Sequence, residues 1–145
     1  VMMQKEVAER LSATPGSKEY GSLSIAVQLV ASVATAFTVS RHAFVPAPNV
    51  DSAIVTLTQR TEPLAALTDP ASFDRLVRSA FASRRKTLWN NLVVLFGKTN
   101  KAAIRSALTI AAIDPGTRAE RLSIADFARL DRALRAADLI SQAHA

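Results

Sequence analysis

Phe44-Val45-Pro46-Ala47-Pro48-Asn49-Val50-Asp51-Ser52-Ala53 is a stiff loop that runs into a strand, and the rest of the chain reads outward from it. Its two prolines stand at i and i+2. Each fixes φ near about −65° and pushes the residue before it into extended backbone, so the segment is neither helix nor ladder strand. On its amino side Val33 to Val39 is β-branched and aromatic enough for a strand, joined to the loop by Ser40-Arg41-His42-Ala43. On its carboxyl side Ile54 to Thr58 reads as another strand.

Further upstream, Val1-Met2-Met3-Gln4 reads as a short buried strand running into a helix from Lys5 to Leu11, which Ala13-Thr14-Pro15-Gly16-Ser17 ends. From Ser22 to Ser32 two periods compete. Ser24, Gln28 and Ser32 recur every four residues, as on one helix face, whereas Leu23, Ile25, Val27, Leu29 and Ala31 alternate as in a strand. A parallel strand such as Val1 to Gln4 normally has neighbours on both edges, and these 61 or so residues hold too few strands for a self-sufficient sheet. The sequence reads as though it opens in the middle of a domain.

Downstream, Glu62-Pro63 and Thr68-Asp69-Pro70 bracket a linker, and everything after it is helical. Asp69 can cap a helix with Pro70 at its first position, and Phe73, Leu76, Val77 and Ala80 form its apolar stripe. Arg84 to Phe96 reads as the next helix, closed by Gly97. Asn100 to Ile113 is a third, ended by Asp114-Pro115-Gly116. Ser123 with Asp126 has the form of a capping box for a last helix reaching about Ile140.

The chain has 145 residues, 49% hydrophobic and 21% charged, which fits one folded domain or two small ones and excludes wholesale disorder. It has no cysteine, which excludes disulfide scaffolds and thiol chemistry. Ile25 to Val39, its longest apolar-leaning stretch, is too short and too polar to span a bilayer. His42 and His144 lack metal spacing, so neither a membrane nor a metal partner is expected. Ser40, His42 and Asp51 do not make a hydrolase triad, since no nucleophile elbow surrounds them. A soluble, cytoplasmic, basic protein is the expectation.

The net charge of +6 is unevenly spread. Residues 1–61 hold five basic and four acidic side chains, residues 62–113 eight and three, residues 114–145 five and five. Between Arg75 and Ile113 there are eight cations and no anion. Such a field suits a polyanion, and the basic helices lack the aromatic face of a membrane-surface helix, which favours nucleic acid. A solvated, solubilising face accounts for the composition equally well.

The proline loop resembles the F-x-P-x-P-x-V-D-S-A signature of the KsgA/RsmA-type ribosomal-RNA small-subunit adenine dimethyltransferases. Four more blocks resemble that family in the same order. They are Gln4-Lys5-Glu6-Val7-Ala8-Glu9-Arg10-Leu11, Pro15-Gly16-Ser17-Lys18-Glu19-Tyr20-Gly21-Ser22-Leu23-Ser24, Phe81-Ala82-Ser83-Arg84-Arg85-Lys86-Thr87-Leu88, and Asp114-Pro115 with Arg118-Ala119-Glu120 and Leu122. The R-R-K-T block and the Asp-Pro ending match the small-subunit branch rather than the erythromycin-resistance type acting on large-subunit RNA.

The resemblance implies an α/β remnant, residues 1–61, comprising the last strands of a Rossmann-like class I methyltransferase domain. A small all-α RNA-docking domain follows, residues 62–145. Ser22 to Ser32 then becomes a crossover helix. The family's donor-binding glycine turn and Asn-Leu-Pro-Tyr loop have no counterpart, for the four glycines (Gly16, Gly21, Gly97, Gly116) make no G-x-G. The chain is thus expected to be the carboxy-terminal part of such an enzyme. The parent would use S-adenosylmethionine to dimethylate adjacent adenines of small-subunit rRNA in a 30S precursor; this part alone would bind no cofactor and be inactive. The competing reading is a stand-alone, non-enzymatic RNA- or DNA-binding adaptor.

Within that frame Phe44, with Pro46 and Pro48 stiffening its loop, is the expected base-stacking residue. Pattern alone favours a Phe filling the gap between strand and loop; the matched motif reverses that. Arg84, Arg85 and Lys86, at the start of the expected helix, are assigned to RNA phosphates, with at least one turned back into a structural ion pair. Lys98, Lys101 and Arg105 extend the strip or form a solvated face. Trp89, Leu92, Val93 and Phe96 are read as core. The expected unpaired edge at Val1 to Gln4 predicts self-association or poor solubility.

Overall fold

A computed structural model describes residues 1–140. The chain divides into two compact units, Val1–Leu64 and a second that begins at Ala65.

The first unit holds strand β1 (Met2–Gln4), helices α1 (Lys5–Ser12) and α2 (Ser22–Gln28), and strands β2 (Ala31–Val39) and β3 (Ser52–Gln59). The strands form one sheet in the order β1-β3-β2, antiparallel at both pairings. Met3, Ala53, Val55 and Val33 share one face of it, and Ala8 of α1 packs there in a small apolar cluster. Met2, Ile54 and Phe37 pair across the three strands on the opposite face. That face is open: Met2 is 54% and Phe37 58% exposed.

Two expectations need correction. The opening strand is not buried, because among the described residues β1 pairs only with β3 and only Met3 points to the covered side. The ambiguous Ser22–Ser32 stretch is helix only as far as Gln28, and Ala31 and Ser32 already belong to β2. The four-residue polar repeat has a physical reason. Ser24 Oγ donates to the Arg10 carbonyl, and Gln28 Nε2 donates to the Leu11 and Ala13 carbonyls at 2.7 and 2.8 Å. Both side chains satisfy acceptors that the end of α1 leaves open.

The second unit contains α3 (Pro70–Ala80), α4 (Leu88–Phe96), α5 (Lys101–Ile110) and α6 (Ile124–Ala136). Phe73, Leu76 and Val77 of α3, Leu88 and Leu92 of α4, Ile104 and Leu108 of α5, and Phe127, Leu130 and Leu134 of α6 are all nearly fully buried. Asp69 caps α3, its carboxylate accepting from the Ala71 N–H at 3.1 Å. Both bonds of the Ser123–Asp126 box form, at 3.1 and 2.9 Å.

Three boundaries differ from the sequence reading. Helix α4 begins at Leu88 and not at Arg84, because Thr87 is its cap. Helix α5 stops at Ile110 and α6 at Ala136. Each of the last two closes in a left-handed residue without glycine, Ala112 (φ 58°) and Asp138 (φ 59°).

Candidate nucleic-acid interface

The proline loop is clamped at its base by a single carboxylate. Asp51 Oδ1 accepts from the Arg41 backbone N–H at 2.9 Å and from Arg41 Nε at 3.1 Å, while Arg41 Nη1 donates to the Asn49 carbonyl at 2.8 Å. The Lys5 N–H donates to the Asp51 carbonyl at 2.9 Å, tying the same point to α1. Donation from the Arg41 backbone, then from its guanidinium, holds the Asp51 carboxyl below its ordinary value.

Ser40 starts a single 3₁₀ turn, Arg41–Ala43, its hydroxyl accepting from the His42 N–H at 3.2 Å. That hydroxyl is engaged by backbone and Asp51 by Arg41, so neither is arranged with His42 for hydrolysis. Phe44 follows this turn half-buried; Val45 and Pro46, joined by a cis peptide, and Pro48 are exposed. The loop thus holds an aromatic ring on a braced, solvent-facing support. Sequence reading missed the brace, although Arg41 and Asp51 flank the prolines.

The expected cations of the second unit lie in three settings. Arg84 and Arg85 are the central residues of a tight turn closed by the Lys86 N–H to the Ser83 carbonyl at 3.1 Å. They are not on a helix, so the helix dipole does not oppose them. Arg84 turns back to Glu120 at 3.6 Å, as expected of one member of the trio, and Arg85 and Lys86 face solvent. Lys98, in the short 3₁₀ turn before α5, and Lys101 at its start are exposed. Among the described residues Arg85, Lys86, Lys98 and Lys101 form no ion pair.

Arg105, one helical turn beyond Lys101, stacks on the ring of Trp89, its guanidinium carbon 4.8 Å from the centroid. Trp89 is half-buried and so not plain core, unlike Leu92, which is fully enclosed. Trp89 stands three residues after Lys86 in sequence, so this stack ties α5 to the first turn of the helix that follows the cationic turn.

The structure also reveals Asn91, 5% exposed on the inner side of α4. Its Nδ2 donates to the Ala80 and Ser83 carbonyls at 2.9 and 3.1 Å. A polar residue inside Leu88-Trp89-Asn90-Asn91-Leu92 was the available signal.

No glycine stands in a strand-to-helix turn that could cradle a nucleotide. Gly16 lies in the turn after α1, Gly21 precedes α2, Gly97 closes α4, and Gly116 sits in the Asp114–Thr117 turn. The residues present do not fit a donor site of that kind. Among the described residues no group of three His, Cys, Asp or Glu could hold a metal, and His144 lies outside them. No helix among them is long and apolar enough to cross a membrane.

Comparison with known proteins gives consistent results. A family model described as ribosomal RNA adenine dimethylase matches residues 1–135. A protein of Latilactobacillus sakei named ribosomal RNA small subunit methyltransferase A is 60% identical over 92% of this chain and 46% of its own length. A Streptococcus thermophilus protein of the same name is 56% identical over 96% and 49%. The chain therefore spans about half the length of these relatives. The crystal structure of a dimethyladenosine transferase from Plasmodium falciparum superposes with a TM-score of 0.72 at 28% identity, covering 94% of this chain and 56% of that one. The 23S rRNA methyltransferase ErmE, at 23% identity and a TM-score of 0.58 over 92% and 52%, shares the fold.

Proposed function

Because this chain belongs to the ribosomal RNA adenine dimethylase family, we propose that it supplies the base-holding loop and the RNA-docking helices of an enzyme that methylates adenine amines in small-subunit ribosomal RNA. The first unit is, in this reading, the last portion of a Rossmann-like methyltransferase domain, and the second binds RNA. S-adenosylmethionine would supply the methyl groups, held by residues outside this chain.

An adenine amine is a poor nucleophile because its lone pair is delocalised into the ring, and it is unreachable while the base is stacked. An enzyme must extrude the base and hold it on an aromatic or apolar surface. Phe44 offers such a surface. Its usefulness depends on not yielding when the base arrives, and a supporting shell must hold a site to within about 0.5 Å. The Arg41–Asp51–Asn49 clamp is the observation that carries this reading, because it braces the Phe44 loop from both ends. Arg85, Lys86, Lys98 and Lys101 then neutralise phosphates.

The test is a chimera in which this chain replaces the matching portion of its 60%-identical relative. The chimera is expected to transfer methyl groups from S-adenosylmethionine to adenines of small-subunit RNA. Phe44→Ala should lower kcat at least about 100-fold with RNA affinity nearly kept, as expected for lost positioning. A folded chimera without transfer, or an unaffected Phe44→Ala, would overturn the reading. The 145-residue chain alone should show no S-adenosylmethionine binding by calorimetry, and micromolar binding would contradict that part.

A further inference from the structure

We propose that Asn91 is a positioning residue for RNA binding, holding the Ser83–Lys86 turn so that Arg85 and Lys86 meet phosphates together. This rests on the RNA-docking reading of that turn.

The argument starts from an unfavourable choice. Asparagine is a weak helix former, and burying an amide among Leu88 and Leu92 demands full hydrogen bonding. Asn91 meets that demand outside its own helix. One proton goes to the carbonyl of Ala80, the last residue of α3, which lacks a helical partner. The other goes to the carbonyl of Ser83, the same oxygen that accepts from the Lys86 N–H to close the turn. Asn91 thus fixes both the place where α3 ends and the head of the cationic turn.

Arg84 and the exposed pair that follows it are restrained differently. Arg84 is anchored towards Glu120 at 3.6 Å, whereas Arg85 and Lys86 are exposed and form no ion pair among the described residues, so their placement follows that of the turn's backbone. The buried amide of Asn91 fixes that backbone at the Ser83 carbonyl. Two long cations on a freely moving turn lose conformational entropy when they engage a polyanion. A pinned turn has already lost part of that freedom; on an unpinned turn the two cations do not reach phosphates together, so fewer contacts form and fewer counterions are released.

The experiment measures binding of a fluorescein-labelled small-subunit rRNA hairpin to the 145-residue chain between 50 and 200 mM salt, values chosen to resolve the salt slope. The variants are Asn91→Leu, Arg85→Gln/Lys86→Gln, and all three changes combined, each checked for helix content by circular dichroism. The Arg85/Lys86 pair should weaken binding at least about tenfold and make the log–log salt slope shallower by about 1.4–1.8, the value for two phosphate contacts. Asn91→Leu should weaken binding several-fold and flatten the slope although no charge has changed. It should add nothing once Arg85 and Lys86 are gone. Asn91→Ser, which keeps one donor, should fall between and serves if the leucine variant does not fold. An unchanged slope in a folded Asn91 variant, or a loss that persists in the charge-depleted background, would overturn the inference. An Arg85/Lys86 pair without effect would instead sink the RNA reading of the turn.

Discussion

The guanidinium of Arg105 lies over the ring of Trp89, 4.8 Å from its centroid, bridging α5 to the start of α4. A cation on an aromatic face at a partly exposed site contributes about 0.5–1 kcal/mol. Arg105→Ala is expected to lower stability by about that much, read by urea denaturation. Trp89 is the only tryptophan, so its emission should also shift when the cation is removed. RNA that draws Arg105 off the ring should produce a similar spectral change in the parent chain.

The clamp at the proline loop sets a pH dependence. Asp51 has a lowered pKa because the Arg41 backbone N–H, then the Arg41 side chain, favour its charged form. Its stabilising effect is therefore fully present above the ordinary carboxylate value and disappears as pH falls through the lower folded-state value. A carboxyl-carbon NMR titration should place the Asp51 midpoint below 3.8, the ordinary value. Arg41→Ala should raise that midpoint only part of the way, because the backbone donor remains. A full return to 3.8 would contradict the ranking of the two donors.

Asp131 and Arg135 form an enclosed ion pair in α6, 3.1 Å apart with both side chains at most 3% exposed. Arg135 also donates to Ser72 of α3. Asp131→Ala would remove the carboxylate that balances a buried guanidinium and should cost about 3–5 kcal/mol. Replacing the pair together with leucine and methionine should recover most of that loss. Thermal unfolding of the three proteins decides the matter.

Open sheet surface gives a prediction about association. The row Met2–Ile54–Phe37 and the edge of β1 that has no partner strand among the described residues are both available to another chain. The 145-residue chain should self-associate with rising concentration in light scattering. Phe37→Lys should shift it towards monomer, and a monodisperse parent at high concentration would count against this surface.

Ala112 offers a stabilising change. The Ile113 N–H reaches the Leu108 carbonyl at 2.9 Å and the Ala112 N–H the Thr109 carbonyl at 3.1 Å, a Schellman closure with Ala112 left-handed. An alanine there is strained by about 1–2 kcal/mol. Ala112→Gly should raise the urea midpoint without altering the transition slope.

What the sequence made legible was local chemistry. Asp69 before Pro70, and Ser123 three residues before Asp126, announce helix starts because the capping atoms lie within one turn of each other. The ends of α5 and α6 were read too long because Ala112 and Asp138 occupy positions that glycine usually marks. Arg84–Lys86 read as helical although Thr87 offers a local cap for Leu88; the second restraint, from Asn91 to the Ser83 carbonyl, comes from eight residues further on and lies in no local pattern. The strand at Val1 to Gln4 was judged buried from its apolar residues, whereas burial depends on what covers each face. At the base-holding loop, sequence pointed to Phe44 and the prolines. The roles of Arg41 and Asp51 emerge only once the nine residues between them are folded back on themselves.

One irregularity in β2 governs how that loop is delivered. Thr35 pairs with Val55, yet Phe37 pairs with Ile54, so Ala36 is an extra residue without a cross-strand counterpart. The insertion reverses the parity of everything after it: residues that regular alternation would send to one side emerge on the other. Phe37 faces outward for this reason, and the ribbon reaches Ser40 half a pleat out of step with its beginning. Excising Ala36 would restore a regular strand and present the aromatic loop back to front.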